Sequence, residues 1–311
     1  MRAVRVSGPG AVELREVDQV AGDGVRVRVV AAGICGSDLH VTAMGFPAVT
    51  IGHEIAGTLD DGTAVAIEPV AACGGCDGCL AGHEQLCREI LARIYGLALD
   101  GGMADEILVA PRCVIPLPDT IEPRDASLIE PLAIAVHGFN RTAVTRGERV
   151  LVIGGGSIGL TALAVARHRG VVADLAARHD HQLSAGEALG AGTAPGADYD
   201  VVIDAAGTQS SIEEAIRRLR PGGRVLLLGS WWSPVRLGAD LAIKEITLFP
   251  SSMYGHHHGS REFAEAVDVL AARPDIAATL ITHRFALDDA VEAFRVAGER
   301  ASGAIKVVIH P

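Results

Sequence analysis

Apolar and polar positions alternate through MRAVRVSG, AVELREV and VRVRVVAAGIC, the period-two pattern of half-buried strands. In IAGTLDDGTAVAIEP, Asp61 and Gly62 separate two β-prone runs and predict a tight hairpin. A loop rich in glycine and cysteine spans 73–87, and short strands continue to Pro118. This part reads as β-rich, antiparallel and heavy in loops. Near Glu122 the period changes: Leu128, Leu132, Ala135, Val136 and Phe139 recur at helical spacing within Ala126–Thr142. Strands RVLVIG, VVADLAA, DVVIDAAG, GRVLLLG and EITLFPS then follow, with helices SIGLTALAVARHRG, HQLSAGEALG and SSIEEAIRRLR between them. That alternation predicts an α/β domain with a parallel, doubly wound sheet. Beyond Tyr254 come a helix over Ser260–Ala272, another over Leu287–Ala297 and a last strand, AIKVVIHP. The changes of period place one domain at 1–131 together with 255–311, and a second at 132–254.

Length agrees with two domains, since 311 residues exceed the roughly 100–200 typical of one. Lys and Arg number 27 against 38 Asp and Glu, a net charge of −11. An acidic chain lacks the basic footprint of nucleic-acid or anionic-membrane binders, so neither partner is expected. Aromatic residues make up only 4%, while glycine reaches 37 residues. The core must therefore be Val, Ile, Leu and Ala, which suits buried parallel strands under closely packed helices. The opening residues carry no apolar signal segment. The uncharged run Val150–Ala166 is short for a membrane span and holds four glycines. A soluble, cytoplasmic protein is expected.

Four of the six cysteines, Cys73, Cys76, Cys79 and Cys87, fall in the pattern C-x2-C-x2-C-x7-C. In an unexported protein such density points to metal rather than disulfides. Four thiolates can enclose a tetrahedral Zn²⁺ with no open position, which makes a structural site. A ferredoxin-type cluster would need a three-residue last interval and a following proline, whereas Arg88 follows here. A zinc ribbon for nucleic acid would need a basic face, but Asp77, Glu84 and Glu89 surround the loop. Cys35 in GICGSDLH and His53 in GHE stand at strand borders. Cysteine, histidine and a carboxylate from separate loops form the donor set of an open, catalytic zinc site. Gly154, Gly156 and Gly159 spell G-x-G-x-x-G between a predicted strand and a predicted helix. That context marks a dinucleotide fingerprint: a tight turn, close approach of the pyrophosphate, and helix packed on strand. Gly154, Gly156, Ser157, Ile158 and Gly159 are the expected cofactor contacts, with phosphate at the helix N-terminus.

The segments GICGSDLH (33–40), GHEIAG (52–57), the four-cysteine loop, DGGMADEI (100–107), EPLAIAVHG (130–138) and GGGSIG (154–159) occur in that order. Together they resemble the zinc-dependent medium-chain dehydrogenase/reductase superfamily, the alcohol and polyol dehydrogenases. The resemblance implies a GroES-like catalytic domain flanking a Rossmann domain, with an active site in the cleft between them. It implies two zinc ions per chain. Cys35 and His53 would hold the catalytic one with Glu54 or Glu130; Cys73, Cys76, Cys79 and Cys87 would hold the structural one. Asp38 would orient the zinc histidine, with Lys306 as its partner. Ser37 and His40 would relay the proton of a small alcohol substrate, oxidised to its carbonyl. A homodimer or homotetramer is expected on the same ground. The intervals His40–His53 and Gly57–Glu68 are compressed relative to the family, which implies a more open substrate entrance.

The ribose-selecting residue should end the second strand of the fingerprint domain. Aligned with the family, that position is Ala177, followed by Arg178 and His179. Alanine there removes the acid that repels a 2′-phosphate, and Arg178 can pair with one, so NADP(H) is expected over NAD(H). Asp174 is the competing position and would select NAD(H) if the strand ended early. Cys113 reads as a partly buried thiol and His256–His258 as a solvated loop. Trp231 and Trp232 either line the crevice or cap the core. The rival readings are a zinc-free carbonyl or enone reductase and a non-catalytic nucleotide-binding protein. Cys35, His53, Ser37 and His40 weigh against both.

Overall fold

The computed structural model describes residues 1–311, apart from the side chain of Arg300. Its two units are Met1–Glu130 with His258–Pro311, and Pro131–His257. In the first, β1 (Arg2–Gly8) and β2 (Ala11–Glu16) pair as an antiparallel hairpin. Strand β3 (Val25–Ile34) runs up to Cys35, and α1 (Gly36–Ala43) starts directly after it. The hairpin predicted around Gly62 is β4 (Glu54–Thr58) and β5 (Ala64–Ile67), with Gly62 at φ +89. That left-handed conformation is why the turn takes glycine. One helical turn, α2 (Asp77–Leu80), lies in the cysteine loop, and β6 (Glu106–Val109) and β7 (Val114–Pro116) follow.

The helix predicted from Ala126 begins later. Pro123–Leu128 winds as a 3₁₀ segment, and α3 (Ile129–Thr142) continues from it. Pro131 sits in the first turn of α3, where a missing N–H breaks no helical bond. Then come β8 (Val150–Ile153), α4 (Ser157–His168), β9 (Ala173–Ala176), α5 (Asp180–Ala188) and β10 (Tyr199–Asp204). They are followed by α6 (Gln209–Arg218), β11 (Leu219–Leu227), the short α7 (Asp240–Ile243) and β12 (Thr247–Pro250). The five strands form a parallel sheet in the order β12-β11-β10-β8-β9. Every residue of β8 is buried, as is every residue of α4 from Gly159 to Ala166. A helix faced with alanine and glycine can sit close on such a strand, which accounts for the continuous apolar run in the sequence.

The chain returns through β13 (His256–His257), β14 (Ser260–Arg261), α8 (Glu262–Ala272) and α9 (Asp275–Leu280). It ends with β15 (Ile281–Ala286), α10 (Ala290–Gly298) and β16 (Lys306–His310). The large sheet of the first unit is ordered β15-β16-β3-β4-β5-β7, with β6 also on β3. It is antiparallel except between β15 and β16, which are parallel. Pattern reading misses β15, whose inner positions are only half-buried. Ile55, Ile67, Met103, Ile107, Phe294 and Ile309 are in this unit's core.

Three side readings change. His256 and His257 form a short strand rather than a loop. Cys113 is fully buried, in a 3₁₀ turn just before β7. Trp231 and Trp232 are 37% and 46% exposed, beyond the end of β11, so they do not cap the core. Among the described residues no helix is long and apolar enough to cross a membrane.

Candidate metal and cofactor sites

Cys35 is the N-cap of α1, and the first-turn Asp38 closes a capping box: its Oδ2 accepts from Cys35 N at 2.9 Å. The other carboxylate oxygen lies 3.2 Å from His53 Nδ1. One buried aspartate therefore fixes both the thiol's backbone and the imidazole's orientation, leaving His53 Nε2 to bind a ligand. His53 stands directly before β4, and Glu54 is that strand's first residue. Donor atoms of Cys35, His53 and Glu54 all lie within 4.8 Å of one another. Burial works against a charged His53 ring, but Asp38 and Cys35 outweigh it and raise its pKa well above 6.5. The pocket thus attracts positive charge, as the donor set of a metal cation must.

Lys306 does not pair with Asp38. Its Nζ is 2.6 Å from both Glu54 oxygens and donates to Ile34 O at 3.1 Å. Strand order explains this, because β16 and β4 lie on either side of β3. Lys306 is 1% exposed and Glu54 0%. Burial opposes the ammonium charge, yet Glu54, then Cys35 and Glu130, hold the Lys306 pKa above its usual value. Gly33 on β3 makes room for this carboxylate: a Cβ there would stand 2.0 Å from Glu54 Oε2. Glu130 is buried near the start of α3 and lies outside the three-donor group. Ser37 and His40 share α1, with Ser37 half-buried and His40 exposed. His40 Nδ1 meets Gly36 O at 2.7 Å, which assigns the ring proton to Nδ1 and acceptor character to Nε2.

The sulfurs of Cys73, Cys76, Cys79 and Cys87 likewise lie within 4.8 Å of one another, and no disulfide joins them. Cys76 Sγ is 3.5 Å and Cys73 Sγ 3.8 Å from Cys79 Sγ. Tetrahedral zinc with Zn–S bonds of about 2.3 Å places its sulfurs about 3.8 Å apart, so the loop fits the ion. Backbone N–H groups prepare the thiolates: Cys73 N donates to Cys87 Sγ and Cys76 N to Cys73 Sγ, each at 3.3 Å. Backbone donors also hold the Cys76 thiol down to about 6, whereas burial and its sulfur neighbours push Cys79 up to about 12.

In the second unit the fingerprint turn joins β8 to α4. Gly154 has φ +107, and a Cβ on Gly159 would stand 1.8 Å from Gly154 O. The first glycine makes the turn and the third admits the helix. Gly156 caps α4 and faces open space, with Ser157 and Ile158 in the helix's first turn. Strand β9 ends at Ala176, so Ala177 is the next residue, with Arg178 exposed and His179 capping α5. Asp174 lies inside β9 and accepts from the Tyr199 hydroxyl. Sequence reasoning misses three contacts: Lys306 with Glu54, Gly33 against Glu54, and Arg178 Nη2 donating to Ser210 Oγ at 3.1 Å. A lone lysine in the apolar run KVVIH was the available hint for the first.

Residues 21–119 match the alcohol dehydrogenase GroES-like domain, and residues 124–310 match the glucose dehydrogenase C-terminus. L-galactonate-5-dehydrogenase of Escherichia coli K12 is 31% identical over 304 residues, 87% of each chain. A protein of Sinorhizobium meliloti 1021, assigned as a zinc-binding dehydrogenase and solved bound to NADP, superposes with a TM-score of 0.88. It is 29% identical, over 100% of this chain and 99% of that one. An alcohol dehydrogenase of Escherichia coli CFT073, solved with NADH, is 26% identical with a TM-score of 0.87, over 100% and 99%. The chain belongs to the zinc-dependent medium-chain dehydrogenase/reductase superfamily and is an oxidoreductase of its NAD(P)-linked alcohol and polyol dehydrogenase type.

Proposed function

We propose that the protein is a zinc-dependent, NADP(H)-preferring dehydrogenase that oxidises a secondary hydroxyl of a polyol-like substrate, or reduces the matching carbonyl. The observation that carries the reading is the three-donor group of Cys35, His53 and Glu54 at the ends of β3 and β4. When bound, zinc supplies Lewis-acid polarisation of the hydroxyl, and the nicotinamide supplies the hydride acceptor. Asp38 holds His53 through Nδ1, and Lys306 holds Glu54 by both carboxylate oxygens. Glu54, which stands with Cys35 and His53 in the three-donor group, is the preferred carboxylate donor, and Glu130 is the alternative. Ser37 takes the substrate proton, and His40 Nε2 is the acceptor from which it reaches solvent. The four-thiolate loop holds a second, structural zinc.

The cofactor preference is supported by the register of β9, which leaves no carboxylate at the strand end and puts Arg178 next to Ala177. The relatives solved with NADP and with NADH show both cofactors on this fold. Six free cysteines suit the reducing cytoplasm. A homodimer or homotetramer is carried forward from the family.

Metal analysis with steady-state kinetics tests the reading. Wild type should hold two zinc ions per chain and reduce NADP⁺ with a polyol or secondary alcohol. Cys35→Ala should retain one zinc and lose turnover, while Cys76→Ser should destabilise the fold. Glu54→Gln should weaken catalytic zinc more than Glu130→Gln does. One zinc per wild-type chain, or turnover surviving Cys35→Ala, refutes it.

A further inference from the structure

The bond from Arg178 to Ser210 crosses the place where a dinucleotide must lie. Arg178 is two residues past the end of β9, and Ser210 is the second residue of α6, in the connection that leaves β10. In the sheet, β8 lies between β9 and β10. The Arg178–Ser210 contact at 3.1 Å therefore spans the carboxyl end of β8, above the turn formed by Gly154, Gly155 and Gly156. The turn is wedged against both exits. A Cβ on Gly155 would stand 2.9 Å from Ala177 Cβ, and one on Gly154 would stand 3.2 Å from Ala206 Cβ. Ligands of open α/β sheets bind in this crevice, at the point where strand order reverses.

Ser210 is itself held in place. Thr208 caps α6, its Oγ1 accepting from Ser211 N at 3.1 Å and lying 3.2 Å from Ser210 Oγ. Ser210 Oγ accepts from Arg178, so its own proton is available to donate to Thr208 Oγ1 or to a stronger acceptor. A phosphate oxygen is such an acceptor.

We propose that Ser210 is a specificity-determining residue for the adenosine 2′-phosphate. Its hydroxyl fixes the Arg178 guanidinium across the crevice and donates a second hydrogen bond to the phosphate that Arg178 binds. This rests on the NADP(H) reading. It also limits that preference: without a 2′-phosphate, Arg178 keeps Ser210 as its partner. NAD(H) therefore leaves no orphaned cation and is disfavoured only moderately.

The test is calorimetric binding of 2′,5′-ADP and 5′-ADP to the full chain, in wild type, Ser210→Ala, Ser210→Thr and Arg178→Ala. Wild type should bind 2′,5′-ADP more tightly. Arg178→Ala should lose roughly ten- to a hundredfold of that affinity, as for a hydrogen bond to a charged group. Ser210→Ala should lose roughly three- to tenfold and leave 5′-ADP unchanged, and Ser210→Thr should retain most of the affinity. If Arg178→Ala loses affinity and Ser210→Ala does not, the role of Ser210 is overturned and the NADP(H) reading stands. An equal loss for both nucleotides in Ser210→Ala marks a structural effect and also overturns it. If wild type does not distinguish the nucleotides, the NADP(H) reading fails, and this inference fails with it.

Discussion

Lys306→Met removes the ammonium that neutralises Glu54 in a place water does not reach. The two side chains are 1% and 0% exposed, and Nζ reaches both carboxylate oxygens at 2.6 Å. Breaking a buried pair from one side costs about 3–5 kcal/mol, since the remaining charge keeps its desolvation penalty without a partner. Ile34 O also loses its donor, a further reason to expect the upper half of that range. In a unit of this size each kcal/mol shifts the melting temperature by about 2–4 °C, so a cost of about 4–5 kcal/mol should lower it by about 8–20 °C. Glu54→Leu combined with Lys306→Met replaces the pair by apolar groups and should recover most of it, because such replacement is roughly neutral. Added zinc should restore part of the single variant's stability, as a dication near Cys35 and His53 supplies the missing positive charge. The assay is calorimetry of wild type, both single variants and the double, under matched metal conditions. A loss below about 1 kcal/mol in Lys306→Met, or a double variant no better than the worse single, refutes the reasoning.

Two further outcomes follow from the geometry. Gly159→Ala should destabilise the nucleotide-binding unit by about 1–3 kcal/mol, because its Cβ would meet Gly154 O at 1.8 Å. Gly156→Ala, which faces open space, should leave the melting temperature unchanged and weaken NADP⁺ binding; calorimetry separates the two. Glu68 is raised from the ordinary 4.5 to about 7, chiefly by burial, with Arg261 at 2.6 Å opposing. A carboxyl with a raised folded pKa binds more protons folded than unfolded. Its contribution is present below about pH 4.5 and lost as pH rises through about 7, a fall of about 3 kcal/mol. Urea unfolding at several pH values should show that slope in wild type and not in Glu68→Gln; equal slopes refute it.

The parts of the site that are legible in the sequence are those whose chemistry is local. Cys73, Cys76 and Cys79 must bend round one ion, so their spacing is short and glycine-rich. The fingerprint is a turn, and its three glycines answer to constraints within a few residues. Cys35 and Asp38 are joined by one turn of helix. The contacts that pattern reading misses link distant segments: Lys306 lies 252 positions from Glu54, and only the sheet order β16-β3-β4 brings them together. Arg178 and Ser210 are likewise joined by the arrangement of β9, β8 and β10. The assignment of Lys306 to Asp38 fails because both carboxylates are candidate partners in sequence, while β3 puts only Glu54 opposite the lysine through Gly33.

Charge accounting explains why the metal-site residues stand out at all. Asp38, Glu54 and Glu130 are 1%, 0% and 7% exposed. Lys306 is committed to Glu54, and His53 stands 3.2 Å from Asp38. A fold without a metal has little use for so much buried acid, since desolvating a carboxylate is expensive even when it is paired. Apolar residues at the ends of β3 and β4 would build the same sheet more stably. The cluster makes sense as the setting of a dication, with Cys35 and His53 beside Glu54 as its softer donors. The same reasoning separates the two candidate sites. In the cysteine loop the donors are all thiols, closing the site on every side. At Cys35 the donors are mixed and spring from the rigid ends of strands, an arrangement that can hold a cation still while one position stays open to an alcohol.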